Sequence, residues 1–363
     1  MNISFISSNS IYGGSEILAH NTAIVLSYSH NVIFFSRYDS SRIKETNSNI
    51  NYINYFQKTK FIKKIKNKIL NKSNDLKLNL IKIKPDLVII SQGSPLGSLL
   101  EMEICIHLNL RFIVINQLVC DYHWSQLTDN LFLKLQKVYH KAKSIFFVSK
   151  QNEELFKVFF GDNFIFKQIN NPVSINSNEY LTYPSTDTYK IAFVGRIEFY
   201  HKGLDFLIEV LRNPVWNTRN IEFNFYGTGP HEKILLELLE RFKLTFCNIK
   251  GHTNDLVSLW NENHFAILPS RFEGKSLSLS EAMSVGRGVI ATNVVGVQEQ
   301  IEDNKSGFIC PNFTVESLSE TLERAWGNRN DWKEIGINAR FKFMQNNKIL
   351  PEKLLSNDIE NII

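Results

Sequence analysis

The sequence predicts an α/β fold built from two doubly wound domains. Three observations carry that prediction. Short apolar runs alternate with amphipathic helical stretches along the whole chain, the pattern of βαβ units. Glycine turns follow several of the runs, as in Gly13-Gly14, Gly195 and Gly227-Thr228-Gly229-Pro230. A polar stretch without periodicity, 174–188, separates two such series, and 363 residues suffice for two cores. The expected organisation is a first domain at 1–173, a linker at 174–188, a second domain at 189–345 and a helical tail at 346–363 that could pack back on the first domain.

Composition narrows the class. The chain is 43% hydrophobic and 21% charged, ordinary for a globular protein. Net charge is +5, but residues 1–188 hold 21 Lys/Arg against 14 Asp/Glu, so the excess lies in the first half. That asymmetry suits an anionic partner. The alternative is a sequence merely rich in Lys, Ile and Asn. The four cysteines (Cys105, Cys120, Cys247, Cys310) show no CxxC spacing, so reduced thiols and a cytoplasmic chain are expected. No basic leader with a long apolar core opens the sequence, and no apolar run approaches the ~18 residues of a membrane span.

In the first domain, Ile3–Ser7 reads as a buried strand. A turn at Asn9–Ser15, a helix at Glu16–Tyr28 and a strand at Val32–Phe35 follow. Gly13-Gly14 sits where backbone can approach a ligand closely, or is a plain turn. Lys58–Lys72 repeats Phe61, Ile65 and Ile69 among lysines. It suits a helix lying on an anionic membrane, or a surface helix with its apolar stripe on the core. Strands are expected at Asp86–Ser91, Arg111–Ile115 and Ser144–Ser149, and a helix from Gln151. The first two would bring Gln92-Gly93-Ser94 and Asn116-Gln117 to one crevice.

In the second domain the strands read as Lys190–Val194, Ile221–Tyr226, Asn248–Lys250, Phe265–Leu268, Gly288–Ala291 and Gly307–Cys310. The helices between them are Leu204–Leu211, Glu232–Phe242, Leu256–Trp260, a segment ending at Gly286, and one near Gln298–Glu302. Gly195–Gly203 reads as a loop, and the tail as helix broken at Pro351.

The stretch Phe265–Gly286 (FAILPSRFEGKSLSLSEAMSVG) is a strand, a glycine turn and a helix. Such a turn offers free N–H groups and a helix N-terminus, where α/β folds bind phosphates. Gly274-Lys275-Ser276 resembles the end of a P-loop, but Pro269 stands where that motif needs its first glycine, which excludes it. Arg196 and Lys202 flank a strand–helix loop and could meet a diphosphate, or form surface ion pairs worth little. Glu273 and Glu281, eight positions apart, could accept from hydroxyls at two ends of one ligand. For Glu281 the structural alternative is a capping box over Ser278–Glu281.

The segments FVGRIEFYHKGLDFLIEVL, FNFYGTGP, KGHTNDLVSLW, FAILPSRFEGKSLSLSEAM and GVIATNVVGVQEQIEDNKSGF occur in this order from Lys190 to about Pro311. Together they resemble the C-terminal domain of the family 4 glycosyltransferases, and SSNSIYGGSEILAHNTAIVL resembles the family more loosely. The resemblance implies a GT-B fold, two Rossmann-like domains facing across a cleft. It implies a retaining transfer from a UDP- or GDP-sugar to a glycan or lipid-linked acceptor, with no cofactor and no nucleic acid. Glu273 would contact the donor sugar, Glu281 the ribose, and Arg196 and Lys202 the diphosphate. The backbone of Gly274, Lys275, Ser276 and Leu277 would meet sugar and phosphate, and Gly13 and Gly14 would approach from the other domain. A nucleotide base would lie near Gly251–Thr253. No DxD motif occurs, which suits a reaction without a metal. Asn116-Gln117 stands where many members carry a histidine, with Asp121 and His123 nearby. The other readings are a sugar-nucleotide epimerase or phosphorylase of the same fold, and a sugar-binding pseudo-transferase.

Overall fold

The computed structural model of the protein describes residues 1–9, 14–37, 49–55, 75–175 and 180–363. The chain forms two compact units, Met1–Pro172 with Ile349–Ile363, and Val173–Lys348. The basic segment Lys58–Lys72 and Gly13 lie outside the described residues.

Among the described residues, unit 1 holds seven parallel strands: β1 (Asn2–Ser7), β2 (Asn31–Ser36), β3 (Ile50–Asn54), β4 (Leu87–Gln92), β5 (Phe112–Asn116), β6 (Ile145–Phe147) and β7 (Phe166–Gln168). Their order is β3-β2-β1-β4-β5-β6-β7, so the winding reverses between β1 and β4. Both faces are covered, which is why the central strands read as continuous apolar runs. Alternate residues serve opposite faces. Ile6, Val88, Ile90 and Val114 join one core, and Ile3, Phe5, Leu87, Ile89 and Ile113 the other. The first helix, Gly14–Leu26, packs Leu18, Ala19, Ala23 and Leu26 into that second core.

The tail completes this unit. Helix Pro351–Glu360 starts with Pro351 at its first turn, a position that needs no N–H, and buries Leu355 and Ile359 beside Ile3 and Leu18. Lys167 pairs with Asp358 across the seam.

Unit 2 holds β8 (Tyr189–Val194), β9 (Ile221–Tyr226), β10 (Cys247–Gly251), β11 (Phe265–Leu268), β12 (Gly288–Thr292) and β13 (Gly307–Cys310), all parallel. Their order is β10-β9-β8-β11-β12-β13, with the reversal between β8 and β11. The stretch read as a linker contributes to this unit. Ile175 and Leu181 enter its core, and the buried Arg287 donates to the carbonyls of Leu181 (3.5 Å) and Thr182 (2.8 Å).

Other differences from the sequence reading are local. β3 and β7 are unannounced, because INYIN is short and mixed and FKQ has only three residues. Helix Leu99–His107 carries apolar side chains round most of its circumference, so no stripe marks it. Gly195–Gly203 is not all loop. A helical turn, Phe199–Lys202, forms inside it, because Glu198 accepts from the N–H groups of Tyr200 (3.1 Å) and His201 (3.0 Å). No helix among the described residues is long and apolar enough to cross a membrane.

Candidate functional site

The densest group of the flagged residues lies at the carboxyl ends of β8 and β11, the reversal point of the unit 2 sheet. Open α/β sheets bind ligands at such a point, because the two flanking connections leave on opposite faces. The connection after β8 carries Arg196, the Phe199–Lys202 turn and helix Leu204–Leu211. The connection after β11 carries Pro269 to Ser276 and helix Leu277–Ser284.

These two loops are fastened together. Lys202 Nζ donates to Glu273 Oε1 at 2.6 Å, with both side chains largely buried. His201 Nε2 donates to Phe272 O at 2.8 Å, and the Arg271 N–H to His201 O at 2.8 Å. The Arg271 guanidinium reaches both carboxylate oxygens of Asp205 (2.9 and 2.6 Å) and lies 3.8 Å from the centre of the Phe206 ring. Gly203 has φ +64°, and a Cβ there would lie 1.8 Å from Pro269 O. Only glycine allows both that backbone and that approach.

The third wall comes from the loop after β12. Gly296 has φ +81°, and a Cβ there would lie 2.3 Å from Gly274 O. Gln300 Nε2 donates to Ser276 O (3.1 Å) and Ser280 Oγ (2.8 Å), which fixes the start of helix Leu277–Ser284. Its cap is Ser276, whose Oγ accepts from the Leu279 N–H at 3.4 Å. Ser278 is therefore inside the helix, and the capping box over Ser278–Glu281 does not form. Glu281 lies in the second turn and accepts from the Ser174 N–H at 3.4 Å.

The electrostatics separate the two glutamates. Burial alone would raise the Glu273 carboxyl, but Lys202 and His201 outweigh it and hold it below its ordinary value. Burial raises Glu281 to about 7, only partly offset by its hydrogen bonds from Ser174. Burial also lowers Lys275, against the opposing pull of Glu299. Burial lowers His201, helped by Lys202. Arg196 is exposed, with Glu198 at a loose 3.8 Å. At the site Arg196 is accessible, Lys202 is held by Glu273 and Arg271 by Asp205, and burial keeps the Glu281 carboxyl above its ordinary value.

Of the flagged residues, the fold gathers Arg196, Lys202, Glu273, Gly274, Lys275, Ser276, Leu277 and Glu281 on two adjacent connections of unit 2. Gly14 begins the first helix of unit 1. His201, Arg271 and Asp205 are not announced by the sequence, since nothing in their local sequence signals a partner far along the chain. Beside the site, Gly229, Pro230, Glu232, Lys233, Leu236 and Ile249 line an open cavity of ≈ 470 Å³. No group of three His, Cys, Asp or Glu among the described residues could hold a metal ion.

The strand ends singled out in unit 1 do lie side by side. β4 and β5 are neighbours, and Gln92 Nε2 donates to Asn116 Oδ1 at 2.6 Å. Asp121 and His123 lie on the 3-10 turn Asp121–Gln126 beyond it, with His123 buried against Cys120.

Two parallel-sheet Rossmann-like units in one chain define the GT-B class of α/β fold. The crystal structure of HepE from Anabaena in complex with UDP-glucose shares it, with a TM-score of 0.78 at 15% identity over 100% of this chain and 99% of that one. Residues 188–328, under half the chain, match the sequence model of the Glycosyl transferases group 1 family. An alpha-D-kanosaminyltransferase of Streptomyces kanamyceticus is 28% identical over 138 residues, 37% of this chain and 35% of that protein. A glycogen synthase of Pseudomonas syringae pv. syringae is 33% identical over 136 residues, 37% of this chain and 28% of that protein. The chain thus spans about a third of the length of the curated relatives it matches.

Proposed function

We propose that this protein is a glycosyltransferase moving a hexose-type sugar from a nucleotide-diphosphate sugar to a glycan or lipid-linked acceptor, with retention of configuration. One observation carries the reading: Lys202 and Glu273, 71 positions apart, meet at 2.6 Å at the reversal point of the unit 2 sheet, beside an exposed Arg196 and a helix N-terminus. The group 1 match over 188–328 and the UDP-glucose bound by HepE support a nucleotide-sugar donor.

In this reading the donor diphosphate takes Arg196, Lys202 and the start of helix Leu277–Ser284. When the sugar–phosphate bond breaks, charge grows on the departing phosphate oxygens. Cations already placed there lower the barrier without reorganising. Glu273, ionised and released from Lys202, accepts from sugar hydroxyls, and Glu281 from the ribose. The backbone of Gly274 to Leu277 approaches sugar and phosphate. The base lies near Gly251–Thr253 and the cavity beside Ile249.

The reading includes a reaction that needs no metal, so chelation should leave turnover unchanged. It also includes a cytoplasmic location with peripheral contact on anionic membrane through Lys58–Lys72, which vesicle flotation at low salt tests.

The deciding experiment measures nucleotide release from UDP-, GDP- and ADP-sugars, with and without a panel of glycosides. Turnover of one donor, enhanced by an acceptor and abolished by Lys202→Met with Glu273→Gln, is the expected result. Nucleotide-sugar isomerisation or phosphorolysis without transfer would overturn the reading.

A further inference from the structure

Glu281 is 7% exposed and, among the described residues, has no cation beside it. The donors to its carboxylate come from one residue. The Ser174 N–H reaches Oε1 at 3.4 Å, and the Ser174 hydroxyl adds to that support. A carboxylate offers about four acceptor positions, and a buried charge is costly while most of them stand empty. The second oxygen, Oε2, takes no hydrogen bond and is not among the enclosed polar atoms, so it is the one the protein can offer to a ligand.

The donor that holds Oε1 is itself fixed in place. Ser174 is the second residue of unit 2, and the segment it opens is fastened to the far end of helix Leu277–Ser284. The buried Arg287, just past that helix, donates to the carbonyls of Leu181 and Thr182, and its Nε donates to those of Trp260 (2.8 Å) and Asn263 (2.9 Å). Tyr180 rests against Gly286, where a Cβ would lie 3.2 Å from its ring. The Arg340 guanidinium lies 5.7 Å from the centre of the same ring and bonds Ser284 O. A backbone donor anchored in this way is ready without ordering a side chain, which lowers the cost of using it.

One oxygen held and one presented suits a particular ligand group. A phosphate has no hydrogen to give to Oε2, whereas a hydroxyl does. Glu281 lies roughly 7 Å along the helix from its N-terminal N–H groups, so a ligand with its diphosphate at those groups would bring its ribose to the carboxylate.

We propose that Ser174 is a positioning residue of the nucleotide site: its N–H holds one oxygen of Glu281 so that the other accepts from the ribose hydroxyls of the donor. This rests on the reading of the chain as a glycosyltransferase with a nucleotide donor. A tie that only fastened the segment to the helix would leave ribose recognition untouched, and the test separates the two.

The full chain is titrated by calorimetry with UDP, GDP and ADP and with the dideoxyribose form of each. The parent should bind one of the three and prefer its ribose form about tenfold, the worth of a hydrogen bond to a charged group. Ser174→Pro removes the N–H and should bring that preference below about threefold while the dideoxy affinity holds. Ser174→Thr keeps both donors and should restore it. In a Glu281→Gln background, Ser174→Pro should change the preference no further. A preference kept by Ser174→Pro, or an equal loss of both forms, overturns the proposal. Should the proline variant lose its fold, the parent alone decides. With isotope-labelled serine, the Ser174 amide resonance, assigned by its absence from the threonine variant, should shift with the ribose form and not with the dideoxy form. No shift overturns the proposal. A parent that binds both forms alike overturns it too and leaves the transferase reading standing. A parent that binds none of the three nucleotides sinks the nucleotide-donor reading, and the role of Ser174 with it.

Discussion

Lys202 Nζ and Glu273 Oε1 stand 2.6 Å apart, joining the connection after β8 to the connection after β11. The pair neutralises two groups that the proposed chemistry uses separately. Removing one partner strands the other charge in a largely buried place, which costs about 3–5 kcal/mol, whereas removing both costs far less. Lys202→Met and Glu273→Gln should each lower stability by a few kcal/mol, and the double variant by less than their sum. A double-mutant cycle by chemical denaturation checks this, and additive losses would show that the pair contributes nothing. The depressed Glu273 carboxyl adds stability that is present above its unfolded value near 4.5 and is lost as pH falls through the folded one.

Arg196 behaves differently. It is exposed and its carboxylate neighbour Glu198 is 3.8 Å away, so the pair contributes almost nothing to stability. Arg196→Ala should leave the melting temperature within a degree or two and reduce turnover at least tenfold. Parallel calorimetry and nucleotide-release rates decide it. Unchanged turnover would remove Arg196 from the diphosphate site.

Glu281 carries a stability signature of opposite sign to Glu273. Its folded value of about 7 lies above the ordinary 4.5, so the unfolded chain releases the proton first. Stability from this group is full below pH ~4.5 and falls as pH rises toward 7, by about 3 kcal/mol in all. Glu281→Gln should therefore flatten the fall between pH 5 and 8 and stabilise the protein at pH 8. Urea titrations at the two pH values test it. A variant that loses stability equally at both would contradict the burial argument.

Gly203→Ala should be among the most damaging small changes. The residue would occupy positive φ and drive its Cβ to 1.8 Å from Pro269 O. Left-handed backbone alone costs about 1–2 kcal/mol, and separating the loops adds to it. A loss of at least about 2 kcal/mol with weakened nucleotide binding is expected from denaturation and titration. Gly161→Ala, at φ +88° with open space around it, is the control for backbone strain without a clash.

The tail offers a fifth test. Leu355 and Ile359 are fully buried in the core that also holds Ile3 and Leu18. Leu355→Ala should cost about 2–5 kcal/mol. The loss should fall on the unfolding of unit 1, read by hydrogen exchange in β1 and helix Gly14–Leu26. Protection lost instead in unit 2 would contradict the packing.

Much of this molecule is legible without coordinates. The apolar runs, their period and the glycine turns announce most of the strands and the doubly wound class, because those signals act over a few residues. The residue types of the candidate site were legible too. Glu273, Lys202 and Arg196 stand in turns after strands, where side chains reach a sheet edge. What the tertiary structure alone decided is which of them touch. Strand order puts β11 beside β8 although β9 and β10 intervene in the chain, and only that order brings Lys202 to Glu273, Arg271 to Asp205 and Gly203 under Pro269. The same holds in unit 1, where Gln92 and Asn116 meet because β4 and β5 are neighbours. Local sequence sets propensity and turn geometry over a few residues. Pairing across a sheet is set by the packing of whole βαβ units, and no short stretch contains it.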